Sequence, residues 1–355
     1  MQKRVVVAMS GGVDSSVAAA LLKKQGYEVI GLTMCFNLAE KDGKKPSCCG
    51  LTGIEDARRV AQKLEIRHYV VNFNKYFLRQ VIDNFYQEYL SGRTPNPCVR
   101  CNQFIKFGVL LDKAVNLGAH FLATGHYARI VESRQGHLLK KAKDLKKDQS
   151  YFLYRLNQTQ LKQVIFPLGN FSKLQVRSMA AEFKLNVAEK QDSQEICFLP
   201  DGKYADLIKA QGSNRVKPGY LVDKNGDSLG KHKGIVFYTI GQRQGLGIAK
   251  GYPLYVTQIN ARNNQITVGK REDAYKNEFL VEDLHFVGKT FKKKIEIKVK
   301  IRYNHKESLA VAYPAKDKLR ICFKHPEFAI TPGQSAVFYH KDTVLGGGII
   351  EKVLG

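Results

Sequence analysis

Three cysteines and one glycine–serine string carry the chemistry that this chain is equipped to do. Cys98 and Cys101 lie in Thr94-Pro95-Asn96-Pro97-Cys98-Val99-Arg100-Cys101-Asn102, and Cys197 lies far downstream in Gln194-Glu195-Ile196-Cys197-Phe198. Upstream of all three is Ser10-Gly11-Gly12-Val13-Asp14-Ser15-Ser16. Thiols set apart from a phosphate-type loop suit a protein that activates a substrate with ATP and then attacks it with sulfur. Neither feature alone would say so.

In the upstream string, two glycines let the backbone approach a phosphate and turn its N–H groups inward. The helix expected to follow offers its N-terminus as a fixed partial positive charge. Ser10, Ser15 and Ser16 supply hydroxyls, and Asp14 has two useful roles, holding Mg2+ or bonding across the loop. No lysine follows the glycines, so this is not the loop whose lysine grips a γ-phosphate.

Each proline of the Pro95–Pro97 segment fixes its own φ and restricts the residue before it, giving the cysteines a rigid approach. A helix expected from Phe104 would place Cys101 just before its N-terminus, where thiol pKa falls and the thiolate fraction rises. Arg100 and Lys106 would add to that. A Cys-x-x-Cys pair serves redox, zinc or iron–sulfur chemistry. Zinc needs a second spaced pair, which the adjacent Cys48-Cys49 does not supply. Cys98, Cys101 and Cys197 together make the thiolate set of a [4Fe–4S] cluster with one open iron site. Cys35 and Cys322 sit in strand patterns and read as small apolar side chains.

The elements that must position these groups change character along the chain. Residues 1–165 alternate strand and helix signals: strands at Arg4–Met9, Glu28–Phe36, His68–Phe73 and Phe121–Thr124, helices at Val17–Gln25, Ile54–Leu64, Tyr76–Leu90 and Phe104–Leu117. Such alternation implies an α/β domain with a parallel sheet and ligands at the carboxyl ends of its strands. The phosphate loop, Met34, the segment around His126 and the Pro-rich loop are expected to converge there. Residues 166–230 read as a small, mostly helical central domain, with helices at Leu174–Leu185 and Tyr204–Gln211 and a mobile polar loop carrying Cys197. Residues 231–355 read as an all-β domain, a small barrel, with short strands from Val236–Ile240 to Gly347–Ile350 and turns such as Thr331-Pro332-Gly333.

The chain has 355 residues and a formal net charge of +25. That excess favours a polyanion through phosphate neutralisation and counterion release. Lysines cluster at 140–147 and 292–300 beside Tyr151, Phe152, Tyr154 and Tyr303, a pattern that suits RNA with stackable bases. No apolar run approaches the ~20 residues of a membrane span, and the first strand begins almost at Met1. The expectation is therefore a cytoplasmic protein with reduced thiols, because seven cysteines without an export signal make a disulfide framework a poor reading.

The seven-residue loop string resembles the fingerprint of the PP-loop ATP pyrophosphatases. Further strings extend the resemblance to the bacterial tRNA-specific 2-thiouridylases over nearly the whole chain: Gly31-Leu32-Thr33-Met34, Thr94-Pro95-Asn96-Pro97 with Cys101-Asn102, Ala123-Thr124-Gly125-His126-Tyr127, Lys147-Asp148-Gln149-Ser150-Tyr151, Ile196-Cys197-Phe198 and Tyr238-Thr239-Ile240-Gly241-Gln242-Arg243. The resemblance implies ATP, with Mg2+, adenylating the C2 oxygen of a wobble uridine. Cys197 would carry sulfur as a persulfide. Cys101 would attack or help release that sulfur, through a Cys101–Cys197 disulfide. It implies nucleotide contacts at Ala8, Met9, Ser10, Gly11, Gly12, Val13, Asp14, Ser15, Met34 and Gly125. It implies tRNA contacts at Asn96, Pro97, Cys98, His126, Lys147, Asp148, Gln149, Arg302, Tyr303 and Gln334. The implied partners are the tRNA anticodon arm and a sulfur donor, either a cysteine desulfurase or a sulfur carrier protein. Some similar chains carry Asp where Cys98 stands, so Cys98 either joins a cluster or stands by while a persulfide acts. Two rival readings are another AMP-forming synthetase of the loop family, for which no glutaminase segment is visible, and a non-catalytic RNA-binding module, which leaves the loop and thiols without purpose.

Overall fold

The structure is a computed structural model and describes residues 2–36, 51–191, 196–199 and 216–354. Cys48, Cys49 and the helix expected at Tyr204–Gln211 lie outside the described residues. The chain divides into two compact units. One holds residues 1–81, 98–202 and 342–345; the other holds 82–97, 203–341 and 346–355.

The first unit is built on a five-stranded parallel sheet in the order Arg67–Asn72, Glu28–Cys35, Arg4–Ala8, Phe121–Thr124, Val164–Ile165. The central strand's Val5, Val6 and Val7 are fully buried, as expected for a parallel sheet covered on both faces. Strand order reverses on either side of Arg4–Ala8. That reversal opens a crevice at the carboxyl edge between this strand and Phe121–Thr124, the place where doubly wound sheets bind ligands. Val13–Lys24 follows the first strand and packs Val17, Ala18, Ala19 and Leu22 into the core with Val60 and Val176. The expected helix in the 170s is Lys173–Glu182, started by a capping box of Ser172 and Gln175, and it belongs to this first unit.

The helix expected from Phe104 begins earlier. Pro97–Arg100 is already α-helical, and Cys101–Val109 continues with wider π-type winding that ends where Gly108 leaves helical geometry (φ −101°, ψ −107°). Proline at the first helical position explains the early start: its missing N–H is not needed there and its φ is preset. Cys98 therefore occupies the first turn, and Cys101 lies about one turn in.

The second unit carries two β structures. Its middle part is not helical over the described residues: Gly219–Val222, Ser228–His232, Tyr255–Asn260 and Gln265–Gly269 form a four-stranded sheet. The last two were expected as strands, at Leu254–Ile259 and Gln265–Gly269, while Gly219–Val222 and Ser228–His232 escape a periodicity reading because they are short and interrupted by residues such as Gly230 (φ +154°). The strand expected at Val236–Ile240 is instead a 3-10 turn at Ile235–Phe237. Gly234 (φ +137°) and Gly241 (φ +84°) bracket it and break extended geometry on both sides. Farther along, the strands Tyr275–Phe286, Lys318–Phe328, Ser308–Ala315, Ile295–Lys300, Ser335–His340 and Thr343–Leu354 follow one another in space. Pairing of Tyr275–Phe286 with the final strand closes this order into the expected barrel. Closure removes the open edges that would otherwise invite pairing with another chain.

Candidate active site

The phosphate loop turns at the carboxyl end of Arg4–Ala8. Gly11 has φ +72°, and a Cβ there would stand 2.1 Å from the Gly53 carbonyl oxygen, so only glycine fits. Gly12 is the extended N-cap of Val13–Lys24. Ser15 and Ser16 hydroxyls donate to the Gly12 carbonyl at 3.2 and 2.9 Å, and the Ser10 amide donates to Ser15 Oγ at 3.2 Å. These bonds fix the turn in the shape that points backbone N–H groups into the crevice. Gly125 closes the other wall: a Cβ there would lie 2.7 Å from the Ser15 amide nitrogen. Met34, near the end of Glu28–Cys35, is at the same carboxyl edge. The nucleotide residues read from the sequence thus gather at one crevice of one unit.

Asp14 bonds across the loop. Lys173 Nζ donates to both Asp14 carboxylate oxygens at 2.7 and 2.9 Å, and the Tyr127 hydroxyl donates to Oδ1 at 2.8 Å. A second ammonium, Lys190 Nζ, donates to the Gly11 carbonyl at 3.0 Å and pairs with Asp56 at 2.6 Å. The loop lacks its own lysine, and two lysines from more than 150 residues downstream brace it instead. Sequence reading missed both. The one available signal was Asp14 itself, an acid at a phosphate site that needs a counter-charge.

The thiols of this unit differ sharply. Cys197 is exposed, while the next two residues, Phe198 and Leu199, are buried. Phe198 meets Phe77 edge-on at 5.5 Å, and Phe77 stacks on Phe36 at 4.2 Å. The apolar pair after it thus anchors the exposed sulfur. Cys101 is buried at 8% exposure. Burial pushes the Cys98 thiol up to about 11; the neighbouring Cys197 sulfur adds to this, and Lys106 opposes it. Here burial outweighs the helix N-terminus. Among the described residues, which include all three of these cysteines, no three His, Cys, Asp or Glu side chains converge to hold a metal ion. The donor set expected for a [4Fe–4S] cluster is therefore not assembled.

Asn102, beside Cys101, is 3% exposed; its Nδ2 donates to the Phe152 carbonyl at 3.1 Å, while Oδ1 has no partner among the described residues. His126 is buried, with Nδ1 2.7 Å from Thr124 Oγ1 and Nε2 3.5 Å from Lys106 Nζ. Burial first, then the Lys106 charge, holds its pKa well below the ordinary histidine value, so the ring is neutral. Asp148 and Gln149 hold backbone. Asp148 accepts from the Ala142 and Ser150 amides and the Ser150 hydroxyl, and Gln149 Oε1 accepts from the Tyr127 amide at 3.0 Å. Lys147 is half-buried between the exposed Lys146 and the buried Asp148. Tyr151 and Tyr154, expected beside the basic cluster as base-stacking rings, are fully buried core residues.

In the second unit, Thr94, Asn96 and Gln334 are half-buried, and Pro95 and Pro97 are buried. Gln334 Nε2 donates to the carbonyls of Thr94 and Pro95 at 2.9 and 3.1 Å. Arg302 donates to the carbonyls of Phe328 and Ala329, and Lys300 Nζ lies 5.4 Å from the centre of the Tyr303 ring. On Ile295–Lys300 the buried Ile297 and Val299 alternate with the exposed Lys298, and Lys292, Lys293 and Lys294 just before it are exposed. Glu296 shares the outward face with Lys298, so the exposed positive charge is concentrated at Lys292–Lys294 and Lys298.

Profiles of known families divide the chain three ways. Residues 3–201 match a family described as the tRNA methyl transferase HUP domain, 207–270 its PRC-barrel domain, and 276–350 an aminomethyltransferase beta-barrel domain. The first places the protein in a class of nucleotide-loop domains that work on tRNA. Full-length relatives are more specific. The chain is 51% identical to the tRNA-specific 2-thiouridylase MnmA 2 of Thermoanaerobacter sp. (strain X514), covering 100% of this chain and 99% of that one. It is 50% identical to the tRNA-specific 2-thiouridylase MnmA of Acetivibrio thermocellus, covering 99% of each, and 49% identical to that of Clostridium acetobutylicum, covering 99% and 100%. The chain belongs to the tRNA-specific 2-thiouridylase family. Among the described residues no helix is long and apolar enough to cross a membrane.

Proposed function

We propose that this protein is an ATP-dependent tRNA-uridine 2-sulfurtransferase acting on the wobble position, in the cytoplasm. The observation that carries the reading is the pairing, in one unit, of a lysine-braced phosphate loop with an exposed, anchored Cys197. The description of the 3–201 profile speaks of methyl transfer. A phosphate loop and separated thiols serve thiolation better, and the full-length relatives bear that name.

C2 of uridine is a poor electrophile until its oxygen becomes a leaving group. The O2 oxygen attacks the α-phosphorus of ATP, the α–β bridge breaks, and pyrophosphate departs. Backbone N–H groups of Gly11–Ser15 and the helix N-terminus stabilise the charge on the phosphates. Mg2+ would travel with the triphosphate rather than on Asp14, whose carboxylate is engaged by an ammonium. The terminal sulfur of a Cys197 persulfide then attacks C2 and AMP leaves. The Cys101 thiolate attacks Cys197 Sγ, the persulfide S–S bond breaks, and its electron pair goes to the sulfur now on C2. The products are 2-thiouridine and a Cys101–Cys197 disulfide, which an external thiol reduces. A sulfur donor protein, a desulfurase or a carrier, reloads Cys197, whose exposure suits delivery.

A wobble base is unpaired and can be turned out into a pocket. We assign Asn96, Pro97 and Cys98 to the base, and Arg302, Tyr303, Lys147 and His126 to tRNA. His126 would act as a neutral hydrogen-bonding group, given its burial. The exposed positive charge at Lys292–Lys294 and Lys298 suits phosphates of the anticodon arm. Asp148 and Gln149 shape the backbone beside Lys147. The second reading is a [4Fe–4S] cluster on Cys98, Cys101 and Cys197 as sulfur carrier.

Release of AMP and pyrophosphate that depends on tRNA, together with loss of wobble 2-thiouridine from a strain lacking the protein, is the expected result. AMP formation without tRNA would point to another synthetase of the loop family. Anaerobic purification with iron and sulfide analysis decides between the sulfur routes: iron-free protein with full activity supports the persulfide.

A further inference from the structure

The Tyr238–Arg243 string stands out in the sequence, yet no step of the reaction uses it. Its place in the second unit gives it a task. Thr94 Oγ1 donates to Thr239 Oγ1 at 3.2 Å, and the Thr239 amide donates to Gln242 Oε1 at 3.0 Å. On the other side, the Thr94 amide donates to the Pro332 carbonyl at 2.8 Å. Gln334 Nε2 then takes both following carbonyls, Thr94 and Pro95. Gly333 between them has φ +92°, and a Cβ there would meet Thr94 N and O at 2.8 Å. The turn itself is tied to the barrel by Gly333 N to the Ile350 carbonyl and Ile350 N to the Gln334 carbonyl, each 2.8 Å.

Thr94 and Pro95 are thus bonded on every polar side by residues distant in sequence. Pro95 and Pro97 have no N–H to contribute, so the segment cannot build a hydrogen-bonded structure of its own. Its rigidity comes from the grip.

We propose that Thr239 and the Thr331–Gln334 turn form a clamp that positions the Thr94–Pro97 loop, and that Gln334 acts on the reaction through that loop rather than by touching RNA. The clamp rests on the thiolase reading for its catalytic consequence but not for its existence. Asn96 and Pro97 follow the gripped carbonyls directly, and Cys98 and Cys101 follow them in the chain. A displacement of the loop by about 1 Å is enough to cost up to a hundredfold in rate.

Gly333→Ala is the discriminating variant, because glycine has no side chain with which to contact RNA. The clamp requires single-turnover thiolation to fall about tenfold or more while the tRNA Kd stays within about twofold. Thr239→Val, which removes the hydroxyl at nearly constant volume, should lower the rate, and Thr239→Ser should restore it. That pair decides the matter if Gly333→Ala fails to fold. Hydrogen exchange of the peptide containing the Thr94 and Asn96 amides should quicken in Gly333→Ala and Thr239→Val. This readout stands whether or not the wild type thiolates tRNA, so failure of the function and failure of the clamp are told apart. Wild-type rates and unchanged exchange in both variants would overturn the clamp. So would a Gln334→Ala variant that loses tRNA affinity while keeping its single-turnover rate.

Discussion

Two sulfurs of one unit, Cys98 and Cys197, sit close enough to feel each other's charge, yet Cys98 is half-buried and Cys197 is exposed. Cys98 lies in the first turn of a helix, the position that usually favours a thiolate, but burial raises its pKa to about 11. Cys197 is exposed and held by two buried apolar neighbours. Access to solvent is what suits the second, which the resemblance already implied as the sulfur carrier, to sulfur delivery.

The sharpest way to break this contrast is to exchange the roles. Cys197→Ser should lower tRNA thiolation by more than about a hundredfold, while Cys98→Asp should keep it within about tenfold of wild type, both measured as 2-thiouridine formed in a single turnover. Equal losses would mean that the two sulfurs act as one unit.

Next in size is the brace beneath the phosphate loop. Lys173→Met leaves Asp14 without its ammonium. Breaking a fully buried pair costs ~3–5 kcal/mol. The Asp14 side chain is 32% exposed, so the expected loss is roughly 2 kcal/mol in urea unfolding, together with weaker ATP binding. Unchanged ATP affinity would reduce Lys173 to a surface partner.

A smaller effect tests the environments directly. Because the Cys98 pKa is raised, its thiolate is scarce at neutral pH. Its alkylation by iodoacetamide should be slow there and climb until the pH nears about 11. Mass spectrometry of labelled peptides should find Cys197 modified first. Prior labelling of Cys98 at neutral pH would contradict the assignment.

The smallest effect belongs to His126. Its folded pKa is depressed by burial and Lys106, so the unfolded chain takes up a proton that the folded one refuses. Stability is therefore intact above the ordinary histidine pKa of 6.5 and is lost as pH falls below it. His126→Gln should lose less stability than wild type between about pH 8 and about pH 5, read from urea midpoints.

What was legible in the sequence was local. The phosphate loop, the parallel strands beside it and the barrel strands at Ile295–Lys300, Ser308–Ala315, Lys318–Phe328 and Ser335–His340 follow from periodicity and glycine placement, whereas the barrel's Tyr275–Phe286 does not. What was not legible depends on distant partners. Lys173 and Lys190 are ordinary helix and loop lysines until the fold brings them to Asp14 and Gly11. Gln149 and Gln334 match motif positions read as tRNA contacts, and the hydrogen bonds they make to Tyr127, Thr94 and Pro95 backbone groups are ones that no spacing rule exposes. Tyr151 and Tyr154 resemble base-stacking rings in a basic segment, and packing turns them inward. Gly219–Val222 and Ser228–His232 of the second unit's four-stranded sheet hide behind glycines and charged turns, and Pro97 starts its helix earlier than the apolar pattern does.

The most direct test of sulfur transfer from Cys197 uses unmodified tRNA, ATP and protein preloaded with persulfide, without any other sulfur source. The account predicts one 2-thiouridine at the wobble position and one AMP per persulfide consumed, with a Cys101–Cys197 disulfide left behind. Thiolation by Cys197→Ser protein at the wild-type yield, or AMP release with no sulfur gained by the tRNA, would contradict it.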